Sequence, residues 1–485
     1  MIAARRDRDL AVTFAFALAA RLAVVAWAAP RFRPAADGQY YHALAERLAL
    51  GLGYTWQWPD GAVTAAAHYP VGYPALLAPI YAAFGANAAW AMVLGALLGA
   101  LAAPMALLLA RAWVRGAALT AGMLVAIHPA LVPYAAAMMT EAIAGAGLLA
   151  AAAIVARDEL ARPRLRLVLA GLVLGVVTLV RPQCVVLAPV LGFLARGGER
   201  LSRRIAGAAL VTIVALACCA PWTARNCVAM KRCALVSVNG GWNLLIGTQT
   251  ESGAWREIEV PAPCRTVWDE AQKDACFERE AKGAIVADPL AALKRVPAKL
   301  AVTFDYFGGA PWYLHESNPT AFDDQAKRAL GSVDAVTSHA ALLAALLAVA
   351  WRAHSRVRVR ARTIVIVIAA LAIASALSRH AAPAYVGFAI LIMFAGPYRP
   401  REILLPWSAA VVASVAGTHA VFFGAGRYGL VAAPLVAAVA GIVANARSQC
   451  QDDGVDAEQA IAGFELPRGS SMREESPSTI EHDAG

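Results

Sequence analysis

Charge is scarce in this sequence. Only 16% of its 485 residues are Asp, Glu, Lys or Arg, whereas an ordinary soluble domain carries about 25%. The charges that are present stand in short clusters, separated by runs of Ala, Leu, Val and Gly long enough to cross hydrocarbon, which takes roughly 17–25 residues. This distribution excludes an ordinary soluble domain and predicts an all-α polytopic membrane protein.

Cofactor and nucleotide motifs are also missing. The sequence has no Walker or Rossmann glycine pattern, and its His and Cys residues do not follow the spacing of a metal site. Its net charge of +10 comes from Arg residues beside apolar runs, without the basic patch and interleaved aromatics of a nucleic-acid surface. We therefore expect no nucleic-acid partner, and membrane lipids as the surroundings of most of the chain.

Hydropathy predicts about 12 transmembrane helices (11–13). The predicted spans lie at residues 10–29, 87–110, 117–134, 140–156, 167–180, 184–195, 205–221, 335–350, 363–377, 382–396, 403–423 and 429–444. A further apolar run at 71–85 is too short to cross and is interpreted as an interfacial or re-entrant helix. Arg21 is a charge inside the first span, and we expect it to face the bundle interior or to snorkel outward.

The Arg clusters orient these spans. Nearly every dense cluster falls on the side of the N-terminus, and the positive-inside rule places that side in the cytoplasm. The even number of spans then makes both termini cytoplasmic. A transmembrane domain at 1–445 is followed by a polar segment, 446–485, that we predict to be a disordered cytoplasmic tail. The Ala- and Arg-rich composition favours a bacterial inner (plasma) membrane.

Two sizeable segments then lie outside the membrane. They are a first extracytoplasmic loop at 30–86, with interfacial helices, and a larger extracytoplasmic loop at 222–334. Within the larger loop, 269–282 has helical charge spacing, and 290–304 is predicted to be an amphipathic helix on the membrane surface. Four of the eight cysteines lie in this loop, at Cys227, Cys233, Cys264 and Cys276. An oxidising compartment permits disulfides there, in a pairing that the sequence does not reveal.

The first outer loop holds the most informative residue, Asp37. It lies a few residues beyond the first span and is followed by Tyr40 and Tyr41. A carboxylate at the membrane surface can take the proton of an acceptor hydroxyl or bind a divalent cation. Asp is equally common as the N-cap of a helix, and a helix follows here as far as Leu50. Spacing alone does not decide between these roles.

Several short motifs follow one another in an order that resembles a known group of enzymes. They are Asp37 with Tyr40-Tyr41, Gly51-Leu52-Gly53-Tyr54, Tyr69-Pro70-Val71-Gly72-Tyr73-Pro74, Phe84-Gly85, Thr140-Glu141, Pro221-Trp222 with Arg225-Asn226, Asn239 to Leu244, Asp288-Pro289 with Lys299, and His419 with Arg427-Tyr428 and Pro434. This order resembles the GT-C superfamily of membrane glycosyltransferases, which use polyprenyl-phosphate sugars. Within that superfamily, the sequence resembles the branch related to the protein mannosyltransferases and the aminoarabinose transferases (glycosyltransferase family 39).

The resemblance covers most of residues 10–445, with two departures. Many relatives carry an Asp-Glu pair in the first loop, whereas Gly38 follows Asp37 here. Some aminoarabinose transferases have Lys-Pro where this chain has His68 near Tyr69-Pro70. Both departures concern the acceptor and the sugar more than the type of reaction.

The resemblance implies an inverting transfer of a hexosyl or pentosyl unit from a polyprenyl-phosphate-linked donor to an acceptor at the extracytoplasmic face. It implies Asp37 as a base or cation ligand, assisted by Glu141. Arg225, Arg427 and Arg181 are the candidates for the donor phosphate, because Arg binds phosphate through paired hydrogen bonds. The candidate substrate-binding residues are Tyr40, Tyr41, His68, Tyr73, Asn226, His419 and Tyr428.

Purely structural roles are the alternatives for these candidate site residues. Each of the three arginines alternatively anchors the membrane interface by snorkelling, and Glu141 alternatively stabilises a helix N-terminus. His68, His315 and His419 are metal or phosphate contacts or else ordinary polar groups. A divalent cation (Mg or Mn) and an acceptor of protein, lipid or polysaccharide type all stay open.

The rival function is a polytopic transporter or lipid flippase of cell-envelope assembly. Transporters commonly show repeat symmetry between their halves and charged or broken helices at mid-membrane. This sequence has no convincing internal repeat, and its outer loops are heavier than a carrier needs. The sequence therefore favours an enzyme.

Overall fold

A computed structural model describes residues 2–114, 116, 118–157, 162–305 and 308–452, and the side chains of 7–442 within those ranges. The helices of the first half are α1 Ile2–Ala28, α2 Asp37–Ala49, α3 Gly72–Phe84, α4 Ala88–Ala100, α5 Ala102–Trp113, α6 Ala118–Ala126, α7 Glu141–Ala156, α8 Pro163–Val180, α9 Leu187–Leu194 and α10 Leu201–Ala229. Those of the second half are α11 Gly240–Gln249, α12 Glu270–Ala287, α13 Pro289–Lys294, α14 Val296–Phe304, α15 Gly309–Ser317, α16 Asp324–Arg356, α17 Val359–Leu377, α18 Ala382–Phe394, α19 Leu404–Val421 and α20 Ala433–Asp452.

The chain is a polytopic all-α membrane protein, as predicted. Seven helical stretches in the described residues are long and apolar enough to cross a membrane: Asp7–Ala28, Ala88–Trp113, Pro163–Val180, Leu201–Ala229, Asp324–Arg356, Val359–Leu377 and Leu404–Val421. Shorter apolar helices occur at Gly72–Phe84, Glu141–Ala156, Pro182–Leu194, Ala382–Phe394 and Ala433–Ile442. All of these except Gly72–Phe84 coincide with predicted spans, and that helix is short, as expected for an interfacial or re-entrant segment.

The predicted span at 117–134 is the exception. Helix α6 ends at Ala126, and a 3-10 turn at Pro133–Ala136 follows after a gap. Pro129 and Pro133 explain the break, because proline lacks the backbone N–H that a continuing helix needs and disfavours helical geometry in the residue before it. The predicted continuous span here was therefore wrong.

Arg21 stabilises the early end of α6. Its side chain is buried, and Nη1 donates to the carbonyl oxygen of Ala126 at 3.1 Å and to that of Ala17 at 3.0 Å. The last carbonyls of a helix have no partner within the helix and carry partial negative charge, which a buried cation satisfies. Of the two alternatives for Arg21, the structure supports the one that faces the bundle interior.

The first loop and the larger loop meet on one side of the helical bundle, which we call the loop face. Arg225, at the end of α10, donates to the carbonyl of Ala66 at 2.7 Å. Asn318, after α15, donates to the carbonyl of Arg31 at 2.8 Å. These contacts agree with the prediction that both loops lie on the same side of the membrane.

Residues near the predicted cytoplasmic ends of the spans also meet one another. Arg111 at the end of α5 pairs with Asp9 near the start of α1 at 2.7 Å. Arg352 in α16 pairs with Glu402 before α19 at 2.7 Å. The two ends of the bundle are thus distinct, as the alternation of spans requires. Residues 453–485 of the predicted tail lie outside the described residues.

The larger loop is helical and cross-linked. Disulfides join Cys227 to Cys233 and Cys264 to Cys276. Asp269 caps α12, accepting from the backbone N–H of Gln272 at 2.8 Å, and Asp288 caps α13 in the same way. The predicted helix at 290–304 is divided into α13 and α14. Helix α14 has a proline in its first turn, where proline is favoured because the N–H that it lacks would have no partner within the helix.

The first loop contains a small hairpin that the sequence analysis missed. Strands β1 Thr55–Gln57 and β2 Val63–Ala65 pair antiparallel, with Trp56 opposite Thr64. Gly61 in the turn has φ of 86°, a left-handed conformation that favours glycine. The dipeptide before it, Pro59-Asp60, completes a turn signature that would have predicted this hairpin.

Helix α3 packs unusually closely on the end of α8, at Gly72. A Cβ atom on Gly72 would lie 2.5 Å from backbone atoms of Leu179 and Val180, next to the predicted site residue Arg181. Only a residue without a side chain permits this approach.

We predict that Gly72→Ala lowers the free energy of unfolding by about 1–3 kcal/mol, because the new methyl group forces backbone apart. Thermal unfolding of the purified protein in detergent measures this. Gly283→Ala in α12 is the matched control, since a Cβ there meets open space. Equal unfolding temperatures for the two variants would contradict the close contact.

Candidate active site at the loop face

Asp37 and Arg427 form an ion pair at the loop face. Asp37 is the first residue of α2, and Arg427 lies in a 3-10 helix at Gly426–Val431, between α19 and α20. Nη2 of Arg427 donates to Oδ2 of Asp37 at 2.6 Å. The Asp37 side chain is 30% exposed and that of Arg427 is 20% exposed. The pair is therefore accessible to a ligand from the loop face.

The pair shifts the acidity of both groups. Burial alone would raise the pKa of the Asp37 carboxyl, but the charge and the hydrogen bond of Arg427 outweigh it and hold that pKa below its usual value. Burial would lower the pKa of Arg427, and the carboxylates of Asp37 and Glu141 raise it well above its usual value. Both groups are charged at neutral pH, and Asp37 is a weak base while it is paired.

A second, buried ion pair lies next to the first. Glu141, the first residue of α7, accepts from Nη1 of Arg181 at 2.8 Å, and its other oxygen accepts from the hydroxyl of Tyr134 at 2.6 Å. Its side chain is 1% exposed. Nε of Arg427 lies 3.8 Å from the same Glu141 carboxylate, which connects the two pairs.

Tyr428 lies against both arginines. The guanidinium carbon atoms of Arg181 and Arg427 lie 5.4 and 5.1 Å from its ring centroid, within the range of cation–π attraction. The ring of Tyr428 stacks on that of His419, with centroids 4.2 Å apart. The nitrogen Nδ1 of His419 is 2.7 Å from the carbonyl oxygen of Phe423, which fixes the ring. Tyr428 thus holds two like-charged groups close together.

The capping alternative for Asp37 is not what the structure shows. The N-cap of α2 is Ala36, and no side chain caps this helix. Asp37 instead directs its carboxylate to Arg427, with the hydroxyl of Tyr69 donating to its other oxygen at 3.4 Å. The carboxylate is therefore placed by partners from distant parts of the chain.

Gly38 is explained by Tyr313 of α15. The hydroxyl of Tyr313 accepts from the backbone N–H of Ala35, and a Cβ atom on Gly38 would lie 2.7 Å from that hydroxyl. Glycine after Asp37 therefore has a steric cause: Tyr313 fills the space beside this position and fixes the start of α2.

The tyrosines of the first loop form a group of rings beside Asp37. The ring of Tyr40 stacks on that of Tyr69 with centroids 4.9 Å apart, and that of Tyr41 meets Tyr69 and Tyr73 edge-on. Tyr40 is 47% exposed, whereas Tyr41 and Tyr73 are buried. Tyr40 is thus the tyrosine of this group most open to a substrate, and the other two shape the wall behind it.

His68 lies near this group and is uncharged. Burial lowers its pKa to about 4, against a smaller opposing effect of Asp37. Its ring meets those of Tyr69 and Trp242. A neutral imidazole offers no positive charge to a phosphate, and hydrogen bonding or packing are the roles that this position allows.

Arg225 and Asn226 serve a different part of the molecule. Arg225 donates to the carbonyl oxygens of Tyr54 and Ala66, both at 2.7 Å. The amide nitrogen of Asn226 donates to the carbonyls of Ala234 and Val236, both at 3.1 Å. These hydrogen bonds hold the first loop and the larger loop in place. None of them is made to the Asp37–Arg427 or the Glu141–Arg181 ion pair.

Glu270, which the sequence analysis missed, has a similar function. Its two oxygens accept from the indole of Trp56 at 3.1 Å and from the backbone N–H of Ala67 at 2.6 Å. Its position, next to the N-cap Asp269 of a charged helix, gave no sign of this. His315, another candidate, lies with Nδ1 3.0 Å from the carbonyl oxygen of Phe322.

The acidic residues here do not make a divalent-cation site. Asp37 and Glu141 are each held by an arginine, and within the described residues no three His, Cys, Asp or Glu side chains come together. A cation coordinated by protein oxygens prefers several carboxylate or carbonyl ligands free of such partners. The donor set of these residues, as they are paired here, does not fit a divalent cation.

A small cavity of about 10 Å³ lies beside Arg181. Its lining combines Arg181, His419 and Tyr428 with apolar side chains such as Leu187, Val411 and Val415. The apolar residues belong to α9 and α19, which are helices of the membrane domain. One cavity thus offers a cationic group together with an apolar surface.

We predict that Gly38→Ala destabilises the protein by about 1–3 kcal/mol, because the methyl group collides with the hydroxyl of Tyr313. Replacing that tyrosine removes the colliding atom, so the double variant Gly38→Ala/Tyr313→Phe recovers part of the loss. Thermal unfolding of the two single variants and the double variant measures the coupling. Simply additive losses would contradict the contact.

Comparison with known proteins gives similarity to glycosyltransferases. No protein-family model and none of the curated proteins matches the sequence. Among solved structures, the chain is similar to the apo oligosaccharyltransferase of Archaeoglobus fulgidus, with 15% identity, a TM-score of 0.48, and 94% of this chain and 52% of that chain covered. It is also similar to ArnT from Cupriavidus metallidurans bound to undecaprenyl phosphate, with 16% identity, a TM-score of 0.40, and 95% and 80% covered.

Both are GT-C glycosyltransferases, the superfamily that the ordered motifs resemble. The chain spans about half the length of the oligosaccharyltransferase. At identities of 15–16% and TM-scores below 0.5, the similarity assigns neither a substrate nor residue roles to this chain.

Proposed function

We propose that the protein transfers a sugar from a polyprenyl-phosphate donor to an acceptor at the extracytoplasmic face of the membrane. The observation that carries this proposal is the contact of Asp37 with Arg427, beside Arg181, at the loop face. It places a carboxylate that can take a proton next to cations that can hold a phosphate. Those are the two kinds of group that the reaction needs.

The reaction follows from these roles. An acceptor hydroxyl attacks the anomeric carbon of the donor sugar from the face opposite the phosphate, so the configuration inverts. The bond between the anomeric carbon and the phosphate oxygen breaks, and its electron pair stays on the lipid phosphate. Asp37 receives the proton of the attacking hydroxyl. Arg427 and Arg181 stabilise the charge that develops on the leaving phosphate.

Two features support a lipid phosphate as the donor. Arg181 lies beside apolar side chains of α9 and α19, so a cation and an apolar surface, the two groups that a lipid phosphate needs, are neighbours. Tyr428 holds the two arginines close together, and a pair of guanidinium groups binds phosphate more strongly than one. The polyprenyl class of the lipid follows the motif resemblance.

The two disulfides support the extracytoplasmic assignment of the loop face. Disulfides persist in oxidising compartments and are rare in the cytosol. Both lie in the larger loop, which contacts the first loop that carries Asp37. The excess of Arg at the other end of the spans agrees with this orientation, and a bacterial inner membrane is the setting we propose.

We predict that Asp37→Asn abolishes sugar transfer, because Asn accepts no proton. The protein is reconstituted into proteoliposomes that contain polyprenyl-phosphate sugars from host membranes, and a membrane extract supplies the acceptor. The wild type should release free polyprenyl phosphate, which is detected by chromatography. The variant should lose at least about 100-fold of that rate. Glu46→Gln, the same change of charge on the exposed surface of α2, is the control and should retain activity.

The same experiment separates an enzyme from a flippase. A flippase moves the lipid intact, so the wild type would then yield no free polyprenyl phosphate while the sugar lipid changed leaflet. A wild-type rate of release by Asp37→Asn would instead show that another group takes the proton.

A matched pair of Arg→Lys variants tests which arginine holds the phosphate. We predict that Arg181→Lys weakens binding of undecaprenyl phosphate about tenfold, because Lys loses the paired hydrogen bonds of a guanidinium. Arg225→Lys should lower the unfolding temperature through loss of its bonds to Tyr54 and Ala66, with little effect on affinity. If Arg225→Lys weakened binding of undecaprenyl phosphate and Arg181→Lys did not, Arg225 would be the residue that binds the phosphate.

A further inference from the structure

In the absence of substrate, the charges of the two neighbouring ion pairs, which we call the charge cluster, cancel. Two carboxylates, Asp37 and Glu141, face two guanidinium groups, Arg427 and Arg181. A phosphate that entered this arrangement unchanged would place a third anion among two cations. In a partly buried site such an excess of like charge is costly. Binding therefore requires one of the existing anions to give way.

Asp37 is the anion that can move. Its side chain is 30% exposed, and beyond Arg427 its described hydrogen bond is a long one, 3.4 Å, from Tyr69. Glu141 is 1% exposed and is held by short bonds from Arg181 and Tyr134. Asp37 also begins a helix, where the partial positive charge of the first turn stabilises a carboxylate that has left its partner.

The contacts of Arg427 show where a phosphate would bind. Nη2 donates to Asp37 at 2.6 Å, and Nη1 has the thioether sulfur of Met139 at 3.2 Å. A thioether is a weak acceptor, so one terminal nitrogen of a charged group is poorly satisfied. The two terminal nitrogens are a pair that a phosphate uses in a bidentate contact. Asp37 therefore occupies half of the edge that a phosphate would take.

We propose that Arg427 exchanges partners during the reaction, pairing with Asp37 when the donor site is empty and with the donor phosphate when it is filled. This inference rests on the proposed function and adds an order of events to it. The donor phosphate binds first and displaces the carboxylate from Arg427. Asp37, freed from the cation that made it a weak base, then takes the proton of the acceptor hydroxyl.

The exchange makes the basicity of Asp37 depend on the presence of the donor. While it is paired with Arg427, Asp37 is a poor acceptor for a proton, so a hydroxyl that arrives without a donor is not activated. Donor binding removes this restraint in the same step that places the anomeric carbon beside the carboxylate. Donor binding thus breaks the ion pair and restores the basicity of Asp37.

A binding experiment tests the exchange. The full-length protein in nanodiscs is titrated with radiolabelled undecaprenyl phosphate, which lacks the sugar and therefore reports binding alone. Asp37→Asn, which has no charge to compete for Arg427, should bind about 5- to 150-fold more tightly than the wild type, the range typical of coupled interactions within one protein. Asp37→Ala serves as a second variant, and thermal unfolding checks that each is folded.

Three controls fix the meaning of the result. Glu46→Gln changes the same charge on the same helix and should bind like the wild type. Arg427→Gln should bind more weakly. In the Arg427→Gln background, Asp37→Asn should bring no gain, because the competition acts through Arg427; a gain that persisted there would show simple charge repulsion and overturn the exchange.

The remaining outcomes separate the two proposals. If Asp37→Asn bound no more tightly than the wild type while Arg427→Gln bound more weakly, the exchange would be wrong and the phosphate role of Arg427 would stand. If Arg427→Gln and Arg181→Lys both bound like the wild type, the phosphate site itself would be wrong.

Discussion

The hydrogen bond between Asp37 and Arg427 joins residues 390 positions apart in the chain. It connects the first turn after the opening membrane helix with the last turn before the final one. Beside this meeting point, Glu141 of α7 and Arg181 at the end of α8 form the second ion pair, and Tyr428 lies against both guanidinium groups. The helical bundle is thus a scaffold that brings one carboxylate to one cation at the loop face.

The surrounding structure holds that meeting point from several directions. Tyr313 fixes the start of α2 through Ala35 and leaves room only for glycine after Asp37. Buried Lys299 of α14 donates to the carbonyl of Val421 at the end of α19, just before the segment that carries Arg427. Arg225 and Glu270 bind the first loop to the larger loop. These residues determine where the charged groups of the candidate site lie.

The sequence predicted some of this well and some of it not at all. Spans of uninterrupted apolar residues were found because hydrocarbon imposes a length and a polarity on every one of them. The span at 117–134 was wrong because hydropathy does not register that Pro129 and Pro133 break the helix. Asp37 could be singled out by its place after the first span, but its capping alternative was settled only by Arg427, a residue that no local pattern relates to it. The hydrogen bonds of Arg225 could not be predicted for the same reason, since its partners are backbone carbonyls of a distant loop.

The account stands on the carboxylate of residue 37 facing the compartment outside the cytosol, next to the lipid phosphate. Asp37→Cys, in a chain whose four cysteines outside the two disulfides, Cys184, Cys218, Cys219 and Cys450, are replaced by serine, tests this with a membrane-impermeant maleimide. The account predicts labelling of intact cells from outside, and protection when undecaprenyl phosphate is added. Labelling that required access from the cytosol would contradict it.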